Sequence, residues 1–325
     1  MTRMEKSNGF EVFAKAASGD RVAIGKLFTM VENKAKETMD LIQKKGVISH
    51  ECCIIGLTGS PGAGKSTLTG SLLDIWQKEG KKVAVLAVDP SSPFSGGAVL
   101  GDRVRMLRFC NDKNIFVRSL GTRGHLGGLS ACISEAVEVL LALGMDIILI
   151  ETAGAGQIDV EVAEVTDTTI VVLVPGWGDT MQVAKAGLLE IADIYVINKM
   201  DQPGAETAAR DLELMLDYRG TKGWIPRINQ TRGDTGEGSD KLWESIQEHQ
   251  DYLTTSGERS KRRQRHLGYL IRRLAISQLS ATWEKGTLWN LAGMMMSNEI
   301  DLPQATTKAL EALKRDVKEV LSETN

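Results

Sequence analysis

The chain has 325 residues, 42% hydrophobic and 25% charged, which suffices for one large α/β domain with appended helices or for two domains, with ample core. A net charge of −3 and a pI near 5.9 carry no sign of a nucleic-acid partner. No apolar run approaches a membrane span, the amino-terminal stretch lacks a signal-type apolar core, and Cys52, Cys53, Cys110 and Cys132 have no metal-ligand spacing; the expectation is a cytoplasmic protein with reduced, mostly buried thiols.

Residues 1–50 read as a helical segment. Phe10, Val12, Phe13, Ala16 and Ala17, then Val22, Ile24, Leu27, Phe28 and Val31, recur at helical spacing, with Ser18-Gly19-Asp20 as the break. Such a pair of helices serves as a cap on the following domain more often than as a partner-binding surface.

The apolar run Cys53-Ile54-Ile55-Gly56-Leu57 is expected to be a buried strand, and a helix is expected from Leu68 to Gln77. Between them lies Gly59-Ser60-Pro61-Gly62-Ala63-Gly64-Lys65-Ser66-Thr67, a complete GxxxxGK[ST] phosphate-binding loop in the context that gives the pattern meaning. Its glycines let backbone N–H groups converge on phosphate oxygens at a helix amino terminus. Lys65 is expected to reach the β and γ phosphates, and Ser66 to offer its hydroxyl to Mg²⁺.

A further buried strand, Val83 to Val88, ends at Asp89-Pro90-Ser91-Ser92-Pro93, which makes Asp89 a candidate for the magnesium shell at the carboxyl edge of a parallel sheet. In Gly101-Asp102-Arg103, Asp102 reads equally as a metal ligand or a helix cap. Ile115 to Ser119 is a strand running into the glycine-rich segment Gly121 to Ser130, where His125 fits a loop-orienting role better than that of a base. Ser130 to Leu143 has helical periodicity, and the strand Ile147 to Ile150 delivers Glu151 beside the metal and Gly154 toward the γ-phosphate. Ala155-Gly156-Gln157 is placed to act as a switch, with Gln157 either orienting water or serving as a hinge.

The strand Thr169 to Val174 precedes Pro175-Gly176-Trp177-Gly178-Asp179, and a helix is expected near Val183 to Ile191. The strand Ile194 to Ile197 then ends in Asn198-Lys199-Met200-Asp201. This is the NKxD pattern, whose carboxylate accepts from guanine N1–H and the exocyclic amine, groups that adenine lacks, so GTP and GDP are favoured over ATP. The basic run Arg259, Lys261, Arg262, Arg263 and Arg265 reads as the solvated face of a helix bearing Leu267, Leu270, Ile271 and Leu274, and Leu310, Leu313, Val317, Val320 and Leu321 repeat the amphipathic pattern.

Together these elements resemble the methylmalonyl-CoA mutase-associated GTPases, the MeaB/ArgK/MMAA family of the SIMIBI class, from about Gly56 to Trp243. The resemblance implies a GTPase that gates cofactor loading into an adenosylcobalamin-dependent acyl-CoA mutase and protects it, with slow turnover and a homodimer formed through carboxyl-terminal helices. It implies a magnesium shell of Ser66, Asp89, Asp102 and Glu151, and switches near Asp102, Gly154 to Gln157 and Gly178 to Lys185. One departure stands out: the family's Ser-Ala pair over the guanine falls on Arg232-Gly233, followed by Asp234.

The expected fold is therefore a three-layer α/β domain with a mostly parallel, doubly wound sheet over residues 51–250, between the helices of 1–50 and a helical extension over 251–325. Arg103, Arg105 and Arg123 are candidates for an arginine finger, and Trp177 either anchors a partner or packs on its own sheet. The rival readings are a nickel-type metallochaperone GTPase, which normally carries Cys/His ligands absent from this pattern, and an ATP-dependent small-molecule kinase, which does not need the NKxD segment.

Overall fold

The computed structural model describes residues 9–32, 52–89, 106–109, 111–121, 133–154, 158–176, 187, 190–219, 223–283 and 287–323. Among these, seven strands form one sheet: β1 Cys53–Gly59, β2 Val83–Asp89, β3 Ile115–Gly121, β4 Ile147–Thr152, β5 Thr168–Leu173, β6 Ile194–Asn198 and β7 Arg227–Thr231. Their order is β3-β2-β4-β1-β5-β6-β7, and every neighbouring pair is parallel. All seven carboxyl ends thus share one edge, and β1 lies where the chain reverses its direction of travel across the sheet, the switch point at which such sheets open a crevice.

The unbroken apolar sequences of the central strands follow from burial on both faces: β1, β4, β5 and β6 are buried along their whole lengths. Side chains alternate between faces. On one face Ile55, Leu57, Val85, Leu149, Val172 and Val196 pack with Leu68, Leu72 and Trp76 of α3 (Lys65–Lys78) and with Leu242, Trp243 and Ile246 of α7 (Ser239–Thr255). Trp76 meets Trp243 edge to face at 5.6 Å. On the other face Val171, Leu173, Tyr195 and Ile197 pack on Ala205, Ala209, Leu212 and Leu216 of α6 (Ala205–Arg219). The result is the three-layer, doubly wound architecture expected.

The amino-terminal helices are α1 (Gly9–Ala17) and α2 (Arg21–Glu32), separated at the expected break. Asp20 caps α2, its Oδ1 accepting from the amides of Val22 at 2.9 Å and Ala23 at 3.1 Å. Phe28 lies 5.1 Å from Phe116, so the helix pair seals onto the edge strand β3. The apolar stripe is narrower than its periodicity predicts: Phe10 and Val22 face solvent. Two further helices, α4 (Ile133–Ala142) and the short α5 (Ile158–Glu161), flank β4.

At the carboxyl end α8 (Glu258–Trp283) leads to α9 (Thr287–Met296) and α10 (Leu302–Glu323). The chain divides into two compact units, residues 1–266 and 267–325, so the first turns of α8 belong with the sheet. Here the basic run departs from a solvated face. Arg262 forks onto Asp193 at 2.7 Å through both terminal nitrogens, and Arg263 grips Asp167 while donating to the Cys52 carbonyl at 2.9 Å. The cause is the pair of nearly buried aspartates just before β5 and β6, whose charges need partners; Lys261 remains in solvent. In the second unit Leu291, Ala305, Ala309 and Ala312 are buried, whereas Ile271 and Leu310, expected on covered faces, are exposed. None of the described helices is long and apolar enough to cross a membrane.

Candidate nucleotide site

The loop after β1 is shaped by glycines that no other residue replaces without strain. Gly59 has φ 138° and a Cβ there would lie 2.1 Å from the Val172 carbonyl; Gly64 has φ 88° and a Cβ would lie 2.3 Å from Asn198 Nδ2. The chain curls and enters α3 at Lys65, three residues before the expected start. Lys65 is buried, and its Nζ donates to the carbonyls of Gly59 at 2.8 Å and Ser60 at 3.0 Å, folding the ammonium over the mouth of the loop.

Glu151 reaches this loop because β4 pairs with β1 in register, Glu151 opposite Leu57. Its carboxylate is buried and fixed at both oxygens: Oε1 accepts from Ser66 Oγ at 2.5 Å and Oε2 from Thr69 Oγ1 at 2.8 Å. Thr69 is a site residue missing from the sequence reading, yet the signal was present, since a hydroxyl three positions after Ser66 shares its face of the helix. Gly154 follows with φ 83°, and a Cβ there would lie 2.3 Å from the Gly59 carbonyl and 2.8 Å from Lys65 Nζ. The structure thus brings Lys65, Ser66, Glu151 and Gly154 together.

The second half of the site rises from β6 and β7. Asn198 is buried and braces three segments: Nδ2 donates to the Ala63 carbonyl at 2.8 Å, and Oδ1 accepts from Thr231 Oγ1 at 3.1 Å and from the Gly233 amide at 3.0 Å. Ser71 Oγ donates to the Gly233 carbonyl at 2.8 Å, pinning the same turn to α3. Lys199 sits at φ 59°, an uncommon conformation for a residue with a side chain, and the Met200 amide donates to the Thr231 carbonyl at 3.1 Å. Asp201 is half exposed, and Arg232 Nε lies 3.8 Å from its Oδ1. Arg232 also forks onto Asp234 at 3.0 and 3.4 Å, a contact that lowers the Asp234 pKa and raises that of Arg232.

Asp89 closes β2, paired with Gly121, but its side chain lies outside the described residues. Asp102, Arg103, Arg105, Arg123, His125, Ala155 to Gln157, and Trp177 to Lys185 lie outside them as well. Among the described residues no group of three or more His, Cys, Asp and Glu is arranged to hold a metal ion. Cys52 and Cys53 are buried free thiols; burial pushes Cys52 up to about 12 and Cys53 well above its ordinary value, as fits inert packing residues.

Comparison with known proteins matches residues 24–287 to the family model of the methylmalonyl Co-A mutase-associated GTPase MeaB. A Pyrococcus horikoshii protein described as a GTPase is 40% identical over 309 residues, covering 93% of this chain and 98% of that protein. The Escherichia coli GTPase ArgK is 35% identical over 78% of this chain and 80% of its own length, and the mouse mitochondrial methylmalonic aciduria type A homolog is 34% identical over 78% of this chain and 66% of its own. A crystal structure of a LAO/AO transport system kinase superposes with TM-score 0.69 at 24% identity, covering 96% of this chain and all of that one, which speaks to fold alone. The chain is a GTPase and belongs to the methylmalonyl-CoA mutase-associated GTPase MeaB family.

Proposed function

We propose that the protein is a GTP-switched chaperone of an adenosylcobalamin-dependent acyl-CoA mutase of the methylmalonyl-CoA mutase type, gating cofactor loading and protecting the mutase. The observation that carries this reading is the family match over residues 24–287, which takes in the sheet, both halves of the site and the start of the carboxyl-terminal helices.

The residues fit a guanine nucleotide. Lys65 exchanges the Gly59 and Ser60 carbonyls for β- and γ-phosphate oxygens, while the amides of the loop from Gly59 to Thr67 receive the remaining charge. Asp201 accepts from guanine N1–H and the exocyclic amine, and Asn198 keeps the phosphate loop and the base loop in one frame. Gly154, pressed against the phosphate loop, presents its amide to the γ-phosphate, and Ala155 to Gln157 follow as the switch.

The donor set also fits Mg²⁺. The Ser66 hydroxyl and the Glu151 carboxylate are hard oxygen groups already in contact, and an ion held by two protein groups, phosphate oxygens and water needs no larger cluster. Asp89 and Asp102 complete the proposed shell. Held there, Mg²⁺ would supply positive charge against that developing on the transferred phosphoryl group. Thr69 holds Glu151 from behind, so the carboxylate cannot swing away from Ser66. No covalent intermediate with the protein is required; a water attacks in line, at a slow intrinsic rate.

A cytoplasmic homodimer joined through the carboxyl-terminal helices completes the reading. The test is capture of the partner: the tagged protein, loaded with GDP or with a non-hydrolysable GTP analogue, is mixed with purified adenosylcobalamin-dependent acyl-CoA mutase. A complex whose affinity differs between the two nucleotides is expected. Absence of a complex in both states would overturn the chaperone assignment and leave the GTPase assignment standing.

A further inference from the structure

Residue 232 carries an arginine on the turn that faces Asp201, and the backbone on both sides of it is immobilised by other groups. Thr231 and Gly233 both donate to Asn198, the Arg232 amide donates to the Glu237 carbonyl at 2.9 Å, and its own carbonyl accepts from the amides of Thr235 at 3.2 Å and Gly236 at 2.9 Å. The side chain, by contrast, is directed across the turn. Its Nε lies 3.0 Å from Asp234 and 3.8 Å from Asp201, and Nη2 also reaches Asp234 at 3.4 Å. Asp234 therefore sets the plane of the guanidinium, and the guanidinium faces the Asp201 carboxylate from the side.

We infer that Arg232 is a specificity-determining positioning residue, which orients the Asp201 carboxylate toward the exocyclic amine of guanine through an ion pair braced by Asp234. The inference rests on the reading of Asp201 as the guanine acceptor. Its chemistry follows from the geometry. A half-exposed carboxylate rotates freely about its last torsion, and a cation fixed at one oxygen removes part of that freedom. When the base arrives and excludes water, the attraction gains strength from the lower local dielectric. Because the pair is open to solvent before then, its contribution falls with ionic strength, whereas a neutral donor at this position would be insensitive to salt.

Inosine nucleotide lacks only the exocyclic amine, so the ratio of GDP to IDP affinity isolates the contact that Arg232 is inferred to govern. Equilibrium titrations of full-length protein in low and high salt, on the wild type and on Arg232→Ala, Arg232→Ser and Asp201→Ala, provide the test. Arg232→Ala is expected to lower the GDP:IDP ratio about threefold to fivefold at low salt, the scale of an exposed ion pair, with IDP affinity nearly unchanged. The wild-type ratio should fall toward that of Arg232→Ala as salt rises, and Arg232→Ser should recover part of the ratio without its salt dependence. Equal losses for GDP and IDP, or a ratio unmoved by substitution and salt, would overturn the inference. Asp201→Ala separates the two layers: if it retains the GDP preference the reading of Asp201 itself fails, and if it loses the preference while Arg232→Ala keeps it, only the role of Arg232 fails.

Discussion

Glu151 illustrates how much of the site one residue organises. Its place at the end of an apolar strand made it legible in the sequence, as did the glycines, Lys65 and Ser66 of the phosphate loop and the Asn198 to Asp201 segment, because each belongs to a pattern with fixed spacing. What the sequence left unread is the bracing: Thr69 behind Glu151, and Asn198 spanning Ala63, Thr231 and Gly233, contacts 33 to 135 residues apart in the chain that no local pattern encodes. Thr69→Val keeps the shape of the side chain and removes one hydrogen bond to a buried carboxylate, a change worth about 1.5–3 kcal/mol. Urea denaturation monitored by circular dichroism is expected to show a loss of that size. An unchanged midpoint would mean that Glu151 finds an equal partner elsewhere.

Strands β1, β2, β4, β5 and β6 were legible as apolar runs, because parallel strands buried on both faces carry no polar alternation, and the edge strand β3 by its apolar start Ile115-Phe116-Val117. β7 was not. Arg227-Ile228-Asn229-Gln230-Thr231 lies at the sheet edge with only Asn229 and Thr231 buried, so its sequence has neither an apolar run nor the alternation of a half-buried strand. The start of α8 was misread for a related reason: Arg262 and Arg263 look solvated until Asp167 and Asp193 are seen beneath them. Asp167→Asn leaves Arg263 with its counter-charge removed and is expected to cost about 3 kcal/mol, the low end for a buried pair, since Arg263 keeps 24% of its side chain exposed. Chemical denaturation measures it, and a loss below about 1 kcal/mol would mark the pair as a surface interaction.

The same layer carries a pH signature. Burial holds both His249, which also touches Thr168 at 2.8 Å, and His266 neutral, each with a pKa lowered to about 4. The unfolded chain binds these protons near pH 6.5, so the folded state's advantage is complete above that value and is lost as pH falls from about 6.5 to about 4. Between those limits each histidine contributes a slope of up to about 1.4 kcal/mol per pH unit. Stability measured at pH 7.0 and pH 5.0 should drop in the wild type and drop less in His249→Gln/His266→Gln. Equal pH dependence in the two proteins would refute the assignment.

The sheet places a phosphate loop, an acidic strand end and a base loop on one edge, while at the opposite ends of β5 and β6 Asp167 and Asp193 pair with Arg263 and Arg262 of the first turns of α8. The family is legible from the sequence and the proposed partner's identity is not, because partner choice resides in surfaces whose residues follow no fixed spacing. The proposed function requires that GTP turnover at this site be coupled to an adenosylcobalamin-dependent acyl-CoA mutase. The most direct measurement is phosphate release by the purified protein with GTP and Mg²⁺, alone and with saturating mutase, against Lys65→Ala as the blank. Slow release by the protein alone is expected, with acceleration of about tenfold or more by the mutase, the equivalent of about 1.4 kcal/mol off the barrier, and none from Lys65→Ala. Release from the wild type at the same rate with and without every such mutase tried, or undiminished release from Lys65→Ala, would contradict it.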